Sequence, residues 1–381
     1  MTAASPPDLA APLAASGARD GGAGLEDGMA IALSGGGFRA MLFHVGVLWR
    51  LFDLDLLRGA ERISSVSGGS ITAGVLALAW PRLDWSNRAT FDEHVVQPLR
   101  AFAGRTVDFP AVLAGLVIPG GVAARIEGAY RRHLFGDATL QDLPVTPRFV
   151  INATNLGNGR LWRFSRLYMG DWETGRILDP DLALARAVAA SSGFPPFLSP
   201  VTVAVDPARL IDRDATRAAA AVVSLTDGGV YDNLGLETVW KRYRTLLVSD
   251  GGSAFGQQPR PSANWPLLTY RALQIIQDQV HALRVRQLVA SFDSTSAADL
   301  HRTGAFIGID ATPAPGDPPD TPWLPPAMAA RLAATATRLG RLAPATQTGL
   351  INLGYTICDA RVRRFYRPGP PPAGLPYPTV P

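Results

Sequence analysis

Short apolar runs that end in glycine-rich turns alternate along the chain with stretches of helical periodicity. Residues 29–33 form one such run, which ends at three glycines, and residues 38–54 then carry apolar side chains at helical spacing. The pattern recurs when the run 62–66 leads through a second glycine turn into residues 70–80, which are rich in Ala, Leu and Val. Two strand–turn–helix units predict an α/β fold with a mainly parallel central sheet flanked by helices.

Downstream of these units the pattern changes to hairpins and separate strands. Residues 149–154 and 161–164 are β-like runs joined by a glycine-containing turn, which predicts a hairpin. Two further strands are expected at 221–225 and 245–249, and Asp-Gly-Gly follows each of them. Helical spacing predicts the remaining helices at 181–190, 264–291, 327–341 and 345–363.

The same patterns divide the chain into one catalytic-type domain with extensions. The predicted parts are a disordered tail (1–27), the α/β domain (28–260) with a helical insertion (90–145), a C-terminal helical extension packed on the same domain (261–366), and a Pro-rich tail (367–381). The insertion contains an apolar stretch at 109–119 that Pro and Gly interrupt. We interpret this stretch as part of a cap packed on the core, with a lid or interfacial surface as the alternative.

The amino-acid composition limits the class of protein to which the chain can belong. Apolar residues make up 47% and charged residues 18% of the chain, which is typical of a folded globular protein. The net charge is +4 without a dense Lys/Arg run, so no nucleic-acid partner is expected. Cys358 is the single cysteine, which excludes an intramolecular disulfide. Neither a secretory signal nor a membrane-spanning apolar run is evident, which predicts a cytoplasmic protein whose membrane contact is peripheral.

The first glycine turn is a candidate anion site. Gly35, Gly36 and Gly37 lie between a predicted strand and a helix, where N–H groups lack helical partners and the helix dipole favours negative charge. A phosphate, a dinucleotide pyrophosphate and the oxyanion of acyl transfer would all suit such a turn. No Gly-Lys-Ser/Thr follows, which excludes a P-loop, and Ala40 replaces the last glycine of the dinucleotide motif.

The second turn is a candidate nucleophile site. Ser65-Val66-Ser67-Gly68-Gly69 matches the nucleophile elbow G-x-S-x-G, except that Ser65 replaces the first glycine. Small neighbours allow the sharp turn that projects the Ser67 hydroxyl away from the backbone. The alternative is that Ser67 only caps the following helix.

A nucleophilic serine needs a neighbouring base. None of the five histidines stands at a predicted strand end, and His44 is expected to pack within the first helix. Asp227 ends the strand 221–225, which places it at the carboxyl edge of the sheet, where active sites of open α/β sheets form. Asp250 has the same setting and is the rival, and an Asx turn is the structural alternative for both.

In this order, the glycine turn followed by Arg39, the serine turn, and Asp227 followed by Gly228 resemble the patatin-like phospholipase family. The resemblance extends over about residues 29–253 and includes Ala-Ala-Ser-Ser-Gly-Phe-Pro-Pro at 189–196. It favours Asp227 over Asp250, because Val-Tyr-Asp-Asn-Leu-Gly follows only the former.

The resemblance implies a three-layer fold and a lipid acyl hydrolase of phospholipase A, lysophospholipase or esterase type. It implies Ser67 as nucleophile and Asp227 as general base without histidine, acting on a phospholipid or other acyl ester with no metal or other cofactor. The implied oxyanion hole is Gly35, Gly36 and Gly37, with Arg39, Gly68 and Gly228 in supporting positions.

Two other hypotheses stay open from the sequence. The same fold would serve as a non-catalytic lipid-binding or membrane-docking module in which the stretch 109–119 contacts the membrane. Nucleotide binding at the glycine turn is the other, although the departures from nucleotide motifs disfavour it.

Overall fold

The computed structural model of the chain describes residues 25–107, 121–196, 198–213, 221–252, 256, 258–296 and 300–378. The apolar stretch 109–119 and all but the end of the predicted N-terminal tail lie outside the described residues. The predicted boundary of that tail is wrong by two residues, because the first strand already begins at Glu26, whose N–H donates to the carbonyl of Arg242 (2.6 Å).

The described residues form ten strands and eleven α-helices. The strands are β1 (Glu26–Leu33), β2 (Ala60–Val66), β3 (Arg148–Asn155), β4 (Leu161–Phe164), β5 (Tyr168–Asp171), β6 (Gly175–Leu178), β7 (Val201–Ala204), β8 (Val222–Asp227), β9 (Tyr243–Asp250) and β10 (Thr303–Gly308). The helices are α1 (Gly37–Asp53), α2 (Gly68–Ala79), α3 (Arg88–Phe91), α4 (Gln97–Ala103), α5 (Gly121–Tyr130), α6 (Leu184–Ser192), α7 (Gly229–Asp232), α8 (Glu237–Trp240), α9 (Trp265–Ser291), α10 (Pro326–Ala333) and α11 (Pro344–Phe365). The π-helical segments are Asp92–Val96 and Arg131–Phe135, and the 3-10 turns are Leu57–Gly59, Trp80–Arg82, Leu140–Asp142 and Pro207–Arg209.

All ten described strands belong to one sheet, in the order β10-β9-β1-β2-β3-β4-β5-β6, with β8 pairing with β3 and β7. The five strands from β10 to β3 are parallel to one another, whereas β4 to β8 are antiparallel to their neighbours. The predicted α/β class with helices flanking a mainly parallel central sheet is confirmed. The antiparallel strands form an extension on one side of that sheet.

The alternation of side chains along β1 explains its continuous apolar run. Met29, Ile31 and Leu33 enter the large core formed with α1, α2 and α11, while Ala30 and Ala32 enter a smaller core formed with α8, β9 and Leu288 of α9. A strand that is covered on both faces has no polar positions to alternate with apolar ones.

Most predicted elements appear within a few residues of their expected positions, and two predictions require correction. The helix expected at 327–341 ends at Ala333, because the chain beyond it turns back to bind the glycine turn. There the Thr335 carbonyl accepts from the Arg39 guanidinium and the Arg338 carbonyl accepts from the Phe38 N–H (3.1 Å). The helix expected from residue 181 begins only at Leu184.

The predicted C-terminal extension and tail are more closely attached to the sheet domain than their composition indicates. The extension supplies β10 to the sheet, parallel to β9, as well as its helices. In the Pro-rich tail, Tyr377 exchanges hydrogen bonds with the Asn352 side chain (2.8 and 3.0 Å). Across the described ranges, no helix combines the length and the apolar character that crossing a bilayer requires.

Helix α1 carries the glycine turn at its start and is fixed by a close crossing with α11. A Cβ on Gly46 would lie 1.9 Å from the Ile351 carbonyl oxygen, and one on Gly354 would lie 2.0 Å from the Phe43 carbonyl oxygen. A buried ion pair between Arg50 and Asp359 (2.7 Å) joins the same two helices. The position of the glycine turn therefore depends on this helix pair.

Gly354→Ala should destabilise the protein by about 3 kcal/mol or more, because backbone atoms of α1 leave no space for a methyl group. Gly128→Ala in α5 is the matched control, since a Cβ there has nothing within 4 Å and Ala should improve helix stability by up to ~1 kcal/mol. Guanidinium unfolding of both variants measures the difference, and equal midpoints would contradict the proposed tight crossing.

Candidate active site

The register of β3 brings Ser67 and Asp227 together. Val66, the residue before Ser67, pairs with Asn152 of β3, and Asp227 pairs with the next residue, Ala153. At this position β4 pairs with the opposite side of β3. Strand β8 therefore lies on the same side of β3 as β2 and begins to pair where β2 ends. The two predicted residues thus lie beside each other, although 160 positions separate them in the sequence.

Ser67 occupies a strained turn between β2 and α2, with φ 51° and ψ −119°. Positive φ is disfavoured for a residue with a Cβ and costs on the order of 1–3 kcal/mol. The neighbouring glycines leave no alternative, because a Cβ on Gly68 would lie 2.2 Å from the Gly37 carbonyl oxygen and one on Gly69 would lie 2.5 Å from that of Leu33. The turn is thus held between the end of β1 and the start of α1.

Ser65 is compatible with this turn, although the nucleophile-elbow motif has glycine at this position. Its side chain is buried, accepts a hydrogen bond from the Ser70 hydroxyl (3.0 Å) and donates to the Val150 carbonyl (3.4 Å). The Cβ of Ser65 therefore fits without moving the turn out of its strained conformation.

Ser191 connects the serine turn with the Asp227 turn, a role that was not predicted. Its hydroxyl accepts from the Ser67 N–H (3.0 Å) and donates to the Asn152 carbonyl (2.6 Å), while its carbonyl accepts from the Gly228 N–H (3.2 Å). The only sequence signal was its place in the motif at 189–196.

Asp227 is buried, with 2% of its surface exposed, and has no cationic partner among the groups that shift its pKa. Burial raises the pKa of Asp227 from 3.8 to about 7, while hydrogen bonds from the Gly229 N–H (2.7 Å) and the Ser67 side chain oppose the rise. Gly228 is needed for close packing, since a Cβ there would lie 2.4 Å from the Asn152 carbonyl oxygen.

The glycine turn lies against the serine, but its three N–H groups are not equivalent. Gly35 is close to Ser67, because an added Cβ would lie 3.1 Å from the Ser67 Cβ. Its N–H already donates to the Asn233 carbonyl (2.9 Å), so the prediction that Gly35 supplies an oxyanion donor is corrected. By contrast, no described residue accepts a hydrogen bond from the N–H of Gly36, Gly37 or Gly68.

Arg39 and His44 hold the glycine turn in place. The Arg39 Nε donates to the Gly251 carbonyl (3.0 Å), and burial lowers the pKa of this guanidinium to about 10, with the charge of Asp250 opposing. His44 Nε2 donates to the Ser34 carbonyl (2.9 Å), so its Nδ1 accepts from the Ser249 hydroxyl (2.7 Å). Burial lowers the pKa of His44 to about 4, which keeps the side chain neutral at physiological pH.

Asp250, the rival acid, is engaged in a different interaction. Its Oδ2 accepts from His281 Nε2 (2.7 Å), a contact that no sequence pattern predicts. Burial alone would raise the pKa of Asp250, but the hydrogen bond and charge of His281, with smaller effects of Gly252 and Ser34, lower it. For His281, burial opposes protonation and Asp250 raises the pKa above its ordinary value.

The described residues include no group of three or more His, Cys, Asp or Glu side chains that could hold a metal ion. The fold and site together define an α/β protein that sets a serine and a buried acid at the carboxyl edge of a mainly parallel sheet.

Comparison with known proteins identifies the family. The model of the patatin-like phospholipase family matches residues 31–240, more than half of the chain. The chain therefore belongs to the patatin-like phospholipase family, a family of lipid acyl hydrolases. No curated protein matches the chain.

Two solved structures are similar to this chain at low sequence identity, and the first of them shows the same fold. Human GIVD cytosolic phospholipase A2 in complex with methyl gamma-linolenyl fluorophosphonate is 15% identical, with a TM-score of 0.50 over 88% of this chain and 57% of the human chain. VipD from Legionella pneumophila is 13% identical, with a TM-score of 0.36 over 89% of this chain and 68% of its own. The chain thus spans little more than half of the human enzyme, and the likeness establishes the fold alone.

Replacing Asp227 and replacing Asp250 with the neutral residue Asn should have opposite effects on the free energy of unfolding. Raising the pKa of Asp227 from 3.8 to about 7 favours the protonated form in the fold and corresponds to roughly 4 kcal/mol of stability, present below pH 3.8 and lost as pH rises to about 7. Asp227→Asn should therefore become more stable than wild type as pH increases across this window, measured by guanidinium unfolding.

Asp250→Asn is the matched control, because Asp250 also precedes two glycines at a strand end. Its lowered pKa and the raised pKa of His281 add stability that is present between about pH 4 and 6.5 and lost on either side. This variant should be destabilised most within that window. Parallel pH profiles for the two variants would contradict the assignment of opposite environments.

Proposed function

We propose that the chain hydrolyses acyl esters of lipids, as a phospholipase A, lysophospholipase or esterase, with Ser67 as nucleophile and Asp227 as general base. The observation that carries the proposal is that a strained serine turn lies beside a buried carboxyl group. Val66, just before the turn, and Asp227 pair with consecutive residues of β3. Strained backbone at a polar residue is a feature that functional sites maintain at a cost in stability.

In the acylation step, ionised Asp227 accepts the hydroxyl proton of Ser67 while Oγ attacks the ester carbonyl carbon. The carbonyl oxygen becomes an alkoxide, which the N–H groups of Gly36, Gly37 and Gly68 stabilise. When the tetrahedral intermediate collapses, the alcohol leaves with the proton from Asp227 and the acyl group stays on Ser67. In deacylation, Asp227 takes a proton from water while the water oxygen attacks the acyl carbonyl. When this second intermediate collapses, the bond to Ser67 Oγ breaks, Oγ takes the proton back from Asp227, and the fatty acid is released.

The dehydrated setting of Asp227 explains how a carboxylate would serve where many hydrolases use histidine. A carboxylate of ordinary pKa is a weak base at neutral pH, whereas the rise to about 7 brings Asp227 close to the operating pH. His44 is buried and neutral in its own hydrogen bonds, and His281 is bound to Asp250, so both are committed elsewhere.

The choice of oxyanion donors follows from which N–H groups remain unused. Gly36 and Gly37 stand at the N-terminus of α1 and Gly68 at that of α2, where the helix dipole adds positive potential. The fluorophosphonate in the human structure of the same fold belongs to a class of reagents that modify nucleophilic serines. We therefore expect such a reagent to modify this chain at Ser67.

Ser67→Ala and Asp227→Asn should each reduce kcat/KM for a p-nitrophenyl acyl ester by at least about a thousandfold, because the pair acts as a unit. A fluorophosphonate probe followed by peptide mapping should label Ser67 in the wild type and no serine in Ser67→Ala.

Asp250→Asn is the control for these variants and should still be labelled at Ser67, because Asp250 accepts no proton in the proposed mechanism. Full hydrolysis by Ser67→Ala would reject the nucleophile, and labelling of Asp227→Asn at the wild-type rate would reject the base.

The pH dependence provides a separate prediction. Only the ionised form of Asp227 accepts the proton, so kcat/KM for a non-ionising ester should rise with pH and level off, with a midpoint near 7. Stopped assays across pH 4.5–9 in buffers of constant ionic strength measure this profile. A midpoint near 4 would mean that the base is a solvated carboxylate and not the buried Asp227.

A further inference from the structure

Helix α9 turns polar side chains toward the protein. Gln277 Nε2 donates to the Gly229 carbonyl (3.4 Å), two residues beyond Asp227, and His281 binds Asp250. One turn further, Arg284 forms an ion pair with Glu237 (3.4 Å). A surface helix of a globular protein normally directs its apolar side inward. The arrangement is reversed as far as Arg284, whereas Leu288 near the end of α9 enters the smaller core.

The opposite side of α9 is apolar and exposed. Trp265, Leu268, Ile276 and Leu283 are 78%, 50%, 61% and 58% exposed. Their separations along the sequence place them within one stripe at 3.6 residues per turn. These four residues define the α9 apolar face. A cluster of large exposed apolar side chains on one helix side marks an interaction surface.

The charges of α9 and its approach indicate the partner. Arg260 and Arg286 are exposed and Arg271 is partly exposed, whereas Asp278 is the single acidic residue within the helix. A net positive border around an apolar stripe complements an anionic lipid surface. A second copy of the chain would bring the same positive charges, which disfavours self-association through this face.

The start of the helix fits the same partner. Among the described residues, Trp265 is the most exposed large apolar side chain, and an indole ring prefers the boundary between headgroups and acyl chains. Its position at the first residue of α9 would set the helix end at that depth.

We propose that the α9 apolar face inserts into the surface of an anionic lipid layer, while Arg260 and Arg286 contact its headgroups. The inward side of the helix would then hold Gly229 and the Asp227 turn directly beside that surface. This inference rests on the proposed function and deepens it, because it specifies acyl esters presented in an anionic lipid layer as the substrate class.

The first test removes the apolar face. The triple variant Leu268→Gln, Ile276→Gln and Leu283→Gln should lose at least about tenfold in binding to vesicles of equal parts phosphatidylcholine and phosphatidylglycerol. The matched control carries Val145→Gln, Leu156→Gln and Val222→Gln, whose native side chains are 71%, 51% and 57% exposed, and should bind like wild type. Co-sedimentation measures binding, and thermal unfolding checks that both variants fold.

The test separates binding from catalysis. Binding is measured in a Ser67→Ala background, so no lipid is consumed. With Ser67 restored, the triple variant should hydrolyse a soluble p-nitrophenyl ester like wild type but lose at least about tenfold on phospholipid in the mixed vesicles. If the wild-type chain does not hydrolyse the soluble ester, the proposed function is refuted. The vesicle-binding result would still test the lipid contact of α9 independently.

A local readout places the contact on α9. The tryptophan emission maximum of the wild type should shift to shorter wavelength when mixed vesicles are added, and Trp265→Phe should abolish most of this shift. Arg286→Gln should weaken binding to the mixed vesicles and leave phosphatidylcholine vesicles unaffected.

Three outcomes would overturn the proposal. The first is that the triple variant binds vesicles as strongly as the wild type. The second is that the wild type binds phosphatidylcholine vesicles as strongly as the mixed vesicles. The third is that the wild type binds no vesicles but forms a dimer, whereas the triple variant is a monomer. The last outcome would assign the face to a second copy of the chain, and sedimentation velocity detects it.

Discussion

The backbone conformation of Ser67 is the constraint on which the site depends. A φ of 51° at a serine persists only where the surroundings leave no relaxed alternative. Here the surroundings are backbone atoms, since the Gly68 and Gly69 positions abut the carbonyls of Gly37 and Leu33. Any shift of α1 would therefore relax the turn, and α1 is fixed in turn by its glycine crossing and ion pair with α11. The C-terminal extension thereby contributes to a turn that lies almost 300 residues earlier.

The second constraint is the removal of water from Asp227 without a compensating cation. Its two hydrogen-bond donors, Gly229 N–H and the Ser67 side chain, only partly offset the cost of burial, so the carboxyl group keeps a high pKa. A cation placed beside it would stabilise the charged form and lower its basicity. Burial without a cation therefore makes this acid less favourable for stability and more suitable as a base.

The sequence predicted the elements that carry their own periodicity. The units β1-α1 and β2-α2 appear with the expected turns, because strands covered on both faces and an apolar helix produce long unbroken signals. Strands β5, β6 and β7 were missed, since each has four residues and part of its pattern is polar or exposed. The six-residue strand β10 was missed as well, inside an extension that was predicted to be helical. The acids at two strand ends were also found, but their environments were not predictable. His281 reaches Asp250 from 31 residues away, and only tertiary structure brings it there.

The same limit explains the corrected role of Gly35. The sequence predicts three equivalent N–H donors for the oxyanion. In the structure, the Gly35 N–H donates instead to the carbonyl of Asn233, which lies nearly 200 residues later in the chain. The contact has a consequence for the site, because Asn233 follows the Asp227 turn and thereby links the acid to the glycine turn. In the proposed mechanism, Gly35 would fix the distance between the base and the oxyanion donors, and the N–H groups of Gly36 and Gly37 would bind the substrate.

Asp250 adds a further link between the site and helix α9. Its carboxylate binds His281 of α9. Ser34, which directly precedes the glycine turn, stabilises the same carboxylate and also accepts from the Gly251 N–H (2.9 Å). Two acids that each end a strand and precede two glycines thus have different environments. The one without a cation retains a proton affinity suited to catalysis, and the one paired with histidine attaches the helix with the exposed apolar face. Exchange of the partners would change both properties, because a paired Asp227 would be a weaker base and an unpaired Asp250 would remove one of the contacts that attach α9.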